Sequence, residues 1–88
     1  MLEKTMYMVT ASWCSSCKMI KPKVEATALR YNVPLVMLDV DQKEVRDFVE
    51  VNFIMAVPQL VFIMGNHFEI RSPLENGAIE QAFKDLTS

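Results

Sequence analysis

Cys14 and Cys17 are the only cysteines in the 88-residue chain, and three positions separate them. A small secreted protein held by disulfides normally spreads four or more cysteines along its length. A Cys-x-x-Cys pair closes too short a loop to staple a fold, so it asks for a chemical explanation. Thiol–disulfide exchange and thiolate ligation of a metal are the two chemistries to weigh. A zinc centre wants four ligands, and beside carboxylates the chain adds only one histidine, His67, far from the pair. A lone histidine at a hairpin is ordinarily a surface residue. A cluster shared between two chains and a pair of incidental buried thiols are the remaining alternatives. The junction of a strand and a helix at the pair favours exchange. There Cys14 falls at a helix N-terminus, where unpaired N–H groups and the helix dipole stabilise a thiolate and lower the thiol pKa. Cys17, one turn on, faces inward. Cys14 can then attack a partner disulfide, and Cys17 can attack the mixed disulfide to release the reduced partner.

The elements that must hold this pair are readable from periodicity. Residues 5–11 are apolar and β-prone, a short buried strand. Residues 15–32 read as a helix whose Ile20, Val24, Ala28 and Tyr31 share one face, with Pro22 inside the run predicting a kink. Residues 35–40 form a second strand. Asp41 stands where a helix N-cap belongs, ahead of a face made by Val45, Phe48 and Val49. Lys43 with Asp47 and Arg46 with Glu50 are i,i+4 pairs on its solvated side. Residues 60–64 make a third strand, Gly65-Asn66 a II′ connection, and residues 67–71 the returning strand. Asn76 is the expected cap of a last helix with Ile79, Ala82, Phe83 and Leu86 on one face. The predicted order is β-α-β-α-β-β-α: an α/β domain spanning residues 1–88, with a four-stranded mixed sheet and three helices. The first two strands are joined through a helix, so they should run parallel with a right-handed crossover.

Composition excludes several classes. Apolar residues make up 51% and charged residues 23% of the chain, which rules out a disordered tail. A net charge of −2 argues against nucleic acid as the partner. No apolar run approaches the ~20 residues of a membrane helix. The start, Met1-Leu2-Glu3-Lys4, lacks the marks of a signal peptide, so a cytoplasmic protein that does not bind membranes is expected. The seven methionines, among them Met6, Met8, Met37 and Met64, suit core filling better than metal binding.

The segment Trp13-Cys14-Ser15-Ser16-Cys17-Lys18-Met19-Ile20-Lys21-Pro22 closely resembles the thioredoxin active-site motif W-C-G-P-C-K-M-I-x-P. Val57-Pro58 is similar to the family's cis-proline landmark before the third strand. The resemblance runs from residue 5 to near the end and lacks the first strand and helix of a full thioredoxin, so it implies a minimal thioredoxin fold. It implies a protein-disulfide reductase in which Cys14 is the nucleophile and Cys17 the resolving thiol. Trp13, Ala56, Val57 and Pro58, with Met55 and Ser72 beside them, would form an apolar rim for extended peptide substrates. No cofactor or metal is implied beyond the Cys14–Cys17 disulfide itself. The implied partners are protein disulfides and a thioredoxin-reductase-type reductant, with electron donation to an enzyme such as ribonucleotide reductase as the family example and a monomer as the expected state.

Departures from the motif carry their own expectations. Ser15-Ser16 replaces Gly-Pro, which loosens the turn, frees two hydroxyls to hydrogen-bond a thiolate and implies a less reducing potential. Lys18 is expected to tune the thiolate electrostatically. The family's buried aspartate, six residues before the first cysteine, is Met8 here, and its lysine partner on the next strand is Met37. Losing both charges together is neutral or stabilising for the fold, but it removes the buried base for Cys17. Val57-Pro58-Gln59 and Phe62-Ile63-Met64-Gly65 also resemble a glutaredoxin segment. The glutathione-binding lysine of that family is Ala11 here, and its Gly-Gly-x-Asp contact falls near Glu69-Ile70-Arg71-Ser72. A glutaredoxin-like redoxin and a non-catalytic binding module with a redox switch are the two alternative functions.

Overall fold

The computed structural model describes residues 4–87. Strand β1 (Lys4–Thr10) leads into helix α1 (Ser15–Tyr31), followed by β2 (Leu35–Asp39), α2 (Lys43–Val51), β3 (Gln59–Met64), β4 (His67–Arg71) and α3 (Ala78–Thr87). The observed order is the predicted one, with strand and helix ends moved by a residue or so. The sheet order is β2-β1-β3-β4. β1 pairs with β2 in parallel and with β3 antiparallel, and β4 returns antiparallel on β3. A parallel pair cannot be joined by a tight turn, so α1 provides the crossover.

Side-chain alternation along β1 divides the core. Met6 and Met8 belong to a buried cluster with Val24 and Ala28 of α1, Leu60 and Phe62 of β3, and Ile79, Ala82 and Phe83 of α3. Tyr31 stacks on Phe83 with ring centroids 6.0 Å apart, joining α1 to α3 on this face. Val9 and Tyr7 point the other way. There Tyr7 shares a cavity with Leu38, Ile63 and the α2 residues Val45 and Phe48. Phe48 also meets Phe68 of β4 at 6.4 Å. Burial on both faces of β1 explains why that strand reads as a continuous apolar run.

The turns follow local chemistry. Gly65 adopts φ 60 while Asn66 does not enter the positive-φ region, the signs of the expected II′ hairpin. Asn32 closes α1 in the left-handed conformation, with Val33 N–H donating to the Ala28 carbonyl at 3.0 Å and Asn32 N–H to that of Leu29 at 3.1 Å. Phe53 closes α2 in the same way at φ 56, with Ile54 N–H reaching the Val49 carbonyl at 2.8 Å. Both are Schellman closures, a position that favours glycine and tolerates asparagine.

Several local expectations need correction. Gln42, not Asp41, is the N-cap of α2, and its side chain makes no capping bond. Asp41 is held instead in a turn in which its N–H donates to Asp39 Oδ1 at 2.8 Å. That Asx-type bond competes with helix capping and places Asp41 one residue too early. Gly77, at φ 80, rather than Asn76, immediately precedes α3. Lys43 pairs with Asp47 at 3.2 Å as expected. Arg46 does not pair with Glu50; its guanidinium donates to the Asp41 carbonyl at 3.0 Å.

Candidate redox site

The C-terminal ends of β1 and β2 and the N-terminal end of β3 lie at the same end of the sheet, because β1 is parallel to β2 and antiparallel to β3. Everything the sequence assigns to chemistry is attached at this end. After β1, Cys14 N–H donates to the Ala11 carbonyl at 3.2 Å, turning the chain into α1. Cys14 is the N-cap of that helix, in extended conformation at φ −94. It forms a disulfide with Cys17 across a Cα–Cα distance of 5.3 Å.

A cysteine at an N-cap takes the role usually filled by a serine or aspartate oxygen. Its Sγ accepts the Cys17 backbone N–H at 3.1 Å. Ser16 Oγ lies 3.4 Å from the same sulfur. Both contacts favour negative charge on Cys14 once the disulfide opens, and the first turn of α1 carries no acidic residue to oppose it. Cys14 is 7% exposed and Cys17 1% exposed, so the outer sulfur belongs to Cys14, as the helix register demands. Ser15 and Lys18 are exposed. Among the described residues, no group of three or more His, Cys, Asp or Glu side chains could hold a metal. His67 lies on β4 and pairs with Glu69 at 3.5 Å.

The expected rim is only partly a surface. Trp13 and Met55 are 69% and 89% exposed. Ala56 is exposed and Val57 half-buried, whereas Pro58 is fully buried. The Val57-Pro58 peptide is cis. Pro58, being buried, lies beneath the rim instead of offering a face of its own. Trp13 and residues 54–57 enclose an apolar cavity of about 190 Å³ with Val9, Val40 and Val49. Ser72 is exposed after β4 and does not line this cavity.

Below the cysteines, Met8 and Met37 are direct register partners on adjacent strands. Met8 is fully buried and Met37 packs at the edge of the core. Two contacts escaped the sequence reading: Ser12 Oγ donates to Asp41 Oδ2 at 2.7 Å, and Asp39 stands on the face of β2 that carries Met37. The alternation of β2 contains the second signal, since Met37 and Asp39 are two residues apart.

A disulfide closed at the N-terminus of a helix, on a four-stranded mixed sheet with a cis proline opening the neighbouring strand, defines a thiol–disulfide redox domain that uses its own cysteines as the redox group. The thioredoxin family profile matches residues 3–85, and the chain belongs to the thioredoxin family. Thioredoxin-2 of Saccharomyces cerevisiae is 38% identical over 74 residues, covering 82% of this chain and 69% of that protein. Thioredoxin-T of Drosophila melanogaster is 35% identical over 57 residues, covering 65% of this chain, and the chain spans only 36% of that relative's length. The solved structure of oxidised mitochondrial thioredoxin 3 from Saccharomyces cerevisiae superposes with a TM-score of 0.82 at 28% identity, covering 96% of this chain and 79% of that one.

Proposed function

We propose that the chain is a monomeric, single-domain protein-disulfide reductase that works by dithiol exchange. The observation that supports this most directly is the Cys14–Cys17 disulfide at the N-terminus of α1, with Cys14 Sγ already accepting the Cys17 N–H. In the reduced protein that N–H and the helix dipole favour a Cys14 thiolate, which attacks a partner disulfide. Cys17, held one turn away, attacks the mixed disulfide, and the partner leaves as a dithiol. Trp13 and residues 55–57 offer apolar contact and backbone edges for an extended peptide, with Pro58 shaping that groove. Ser15, Ser16 and Lys18 tune the thiolate. A thioredoxin-reductase-type protein is the reductant that returns the disulfide to the dithiol. An enzyme such as ribonucleotide reductase is an acceptor of the right chemistry, and the cytoplasm, where thiols are kept reduced, is the compartment that suits it.

The test is capture of mixed disulfides by Cys17→Ser in the native cell, together with insulin reduction by the unaltered protein. Captured partners linked through Cys14, and loss of insulin reduction in Cys14→Ser, are the expected results. No captured partner together with no insulin reduction overturns the proposal. A binding module would keep its cellular role with both cysteines replaced by serine; the reductase loses it.

A further inference from the structure

Resolution of a mixed disulfide requires Cys17 to lose its proton, and Cys17 is 1% exposed. Burial favours the neutral thiol, so a base that reaches this sulfur accelerates the step. The two side chains that meet in register beneath the site, Met8 and Met37, are thioethers and accept no proton.

Cys17 nevertheless forms part of the wall of a second cleft, of about 270 Å³, on the α1 face of the sheet. Trp13 and its apolar cavity lie apart from it: that cavity is lined by Val9, whereas this cleft is lined by Thr10, and consecutive strand residues face opposite ways. Met37 and Asp39 from β2 line the cleft opposite Lys18 and Lys21 of α1. Asp39 is the one carboxylate in that lining. Its Oδ1 is engaged by the Asp41 N–H at 2.8 Å. Asp41 does not line the cleft, and its carboxylate accepts from Ser12, which does. The volume is sufficient for several water molecules at about 30 Å³ each.

We propose that Asp39 is the proton acceptor for Cys17, acting through water in this cleft. The inference rests on the dithiol-exchange function. In the mixed disulfide, the Cys17 proton passes through water to Asp39 Oδ2. The Cys17 thiolate attacks Cys14 Sγ and forms the Cys14–Cys17 bond. The bond from Cys14 to the partner sulfur breaks, and its electron pair leaves with that sulfur. The departing thiolate takes up one proton, which Asp39 returns through water. The dithiol is oxidised by two electrons and the partner disulfide is reduced by two. The carboxylate that supports exchange has thus moved from the first strand to the end of the second, into a solvated cleft.

Stopped-flow reaction of the reduced full chain with excess dithiobis(nitrobenzoate) reads both steps. The first thionitrobenzoate reports attack by Cys14, and the second reports resolution by Cys17. Asp39→Asn keeps an oxygen for the Asp41 N–H but cannot take a proton. We expect it to slow the second release about a hundredfold near neutral pH, the gain typical of a general base. The deficit should shrink as pH rises through the thiol range, and the first release should be unchanged. Asp41→Asn should leave both steps at the wild-type rate. A second release in Asp39→Asn that equals or exceeds the wild-type rate overturns the proposal, because removing a negative charge alone would favour the Cys17 thiolate. A deficit of the same size at every pH, or an equal deficit in Asp41→Asn, also overturns it. If the wild-type protein releases no second equivalent, the dithiol-exchange function itself fails.

Discussion

Met8→Asp restores a carboxylate to the centre of the first strand, and the structure fixes what that should do to stability. Met8 is fully buried between its register partners Met37 and Leu60. Removing its side chain from the core forfeits about 1.5–3 kcal/mol of apolar burial. A neutral carboxyl left without a partner adds about 1–3 kcal/mol. The sum, roughly 2.5–6 kcal/mol, is a large part of the ~5–15 kcal/mol that holds a small domain together. The pH dependence has a definite sign. Burial raises the pKa of the new carboxyl above its unfolded value, so the folded state binds more protons. Stability is therefore greatest in acid and falls by about 1.4 kcal/mol per pH unit between the unfolded value near ~3.9 and the raised folded one. Urea unfolding from pH 4 to 8 measures this. Met8→Asp combined with Met37→Lys should recover about 1–3 kcal/mol of the loss at neutral pH through the new ion pair. A single variant within about 1 kcal/mol of wild type at pH 7, or one that gains stability as pH rises, refutes the reasoning.

Phe53 is 82% exposed yet closes α2 at φ 56. A left-handed non-glycine residue loses about 1–2 kcal/mol, against about 0.5–1 kcal/mol of extra chain entropy lost by glycine. Phe53→Gly should therefore raise the urea midpoint by a stability gain of about 0.5–1 kcal/mol, and Phe53→Ala should not; a loss in the glycine variant contradicts the strain argument. At the other side of the molecule, the Arg30 guanidinium, then the Tyr31 hydroxyl, hold the Glu80 carboxyl below the usual carboxylate range. A lowered folded pKa contributes stability that is present above the unfolded value and lost as pH falls through the folded one. Acid titration of unfolding should show Glu80→Gln losing that part of the pH dependence, with the wild type and variant converging in strong acid; divergence in acid would contradict it.

The order of elements was legible because its signals are local. Alternation over residues 5–11, the four-and-three spacing of Ile20, Val24, Ala28 and Tyr31, and the Gly65-Asn66 turn each depend on a few neighbouring residues. Asp41 does not cap α2 because its carboxylate accepts from Ser12, twenty-nine residues away in the chain, and Arg46 turns back to the Asp41 carbonyl instead of forward to Glu50. The expected pairing of Met8 with Met37 is met in the register, since one parallel alignment sets every partner along the two strands. Pro58 was assigned to the rim, yet it is buried: sequence marks a proline before a strand, and only packing decides which of its faces meets solvent.

The sequence by itself determined the Cys-x-x-Cys spacing, its place at the start of a helix and hence the unequal positions of Cys14 and Cys17. Those follow from helical geometry and need no long-range contact. The tertiary structure alone decided which groups surround the pair. Asp39 is twenty-two residues beyond Cys17 in the chain, and the parallel pairing of β1 with β2 brings both into one cleft. A crossover converts that distance along the chain into proximity, and no local pattern encodes it.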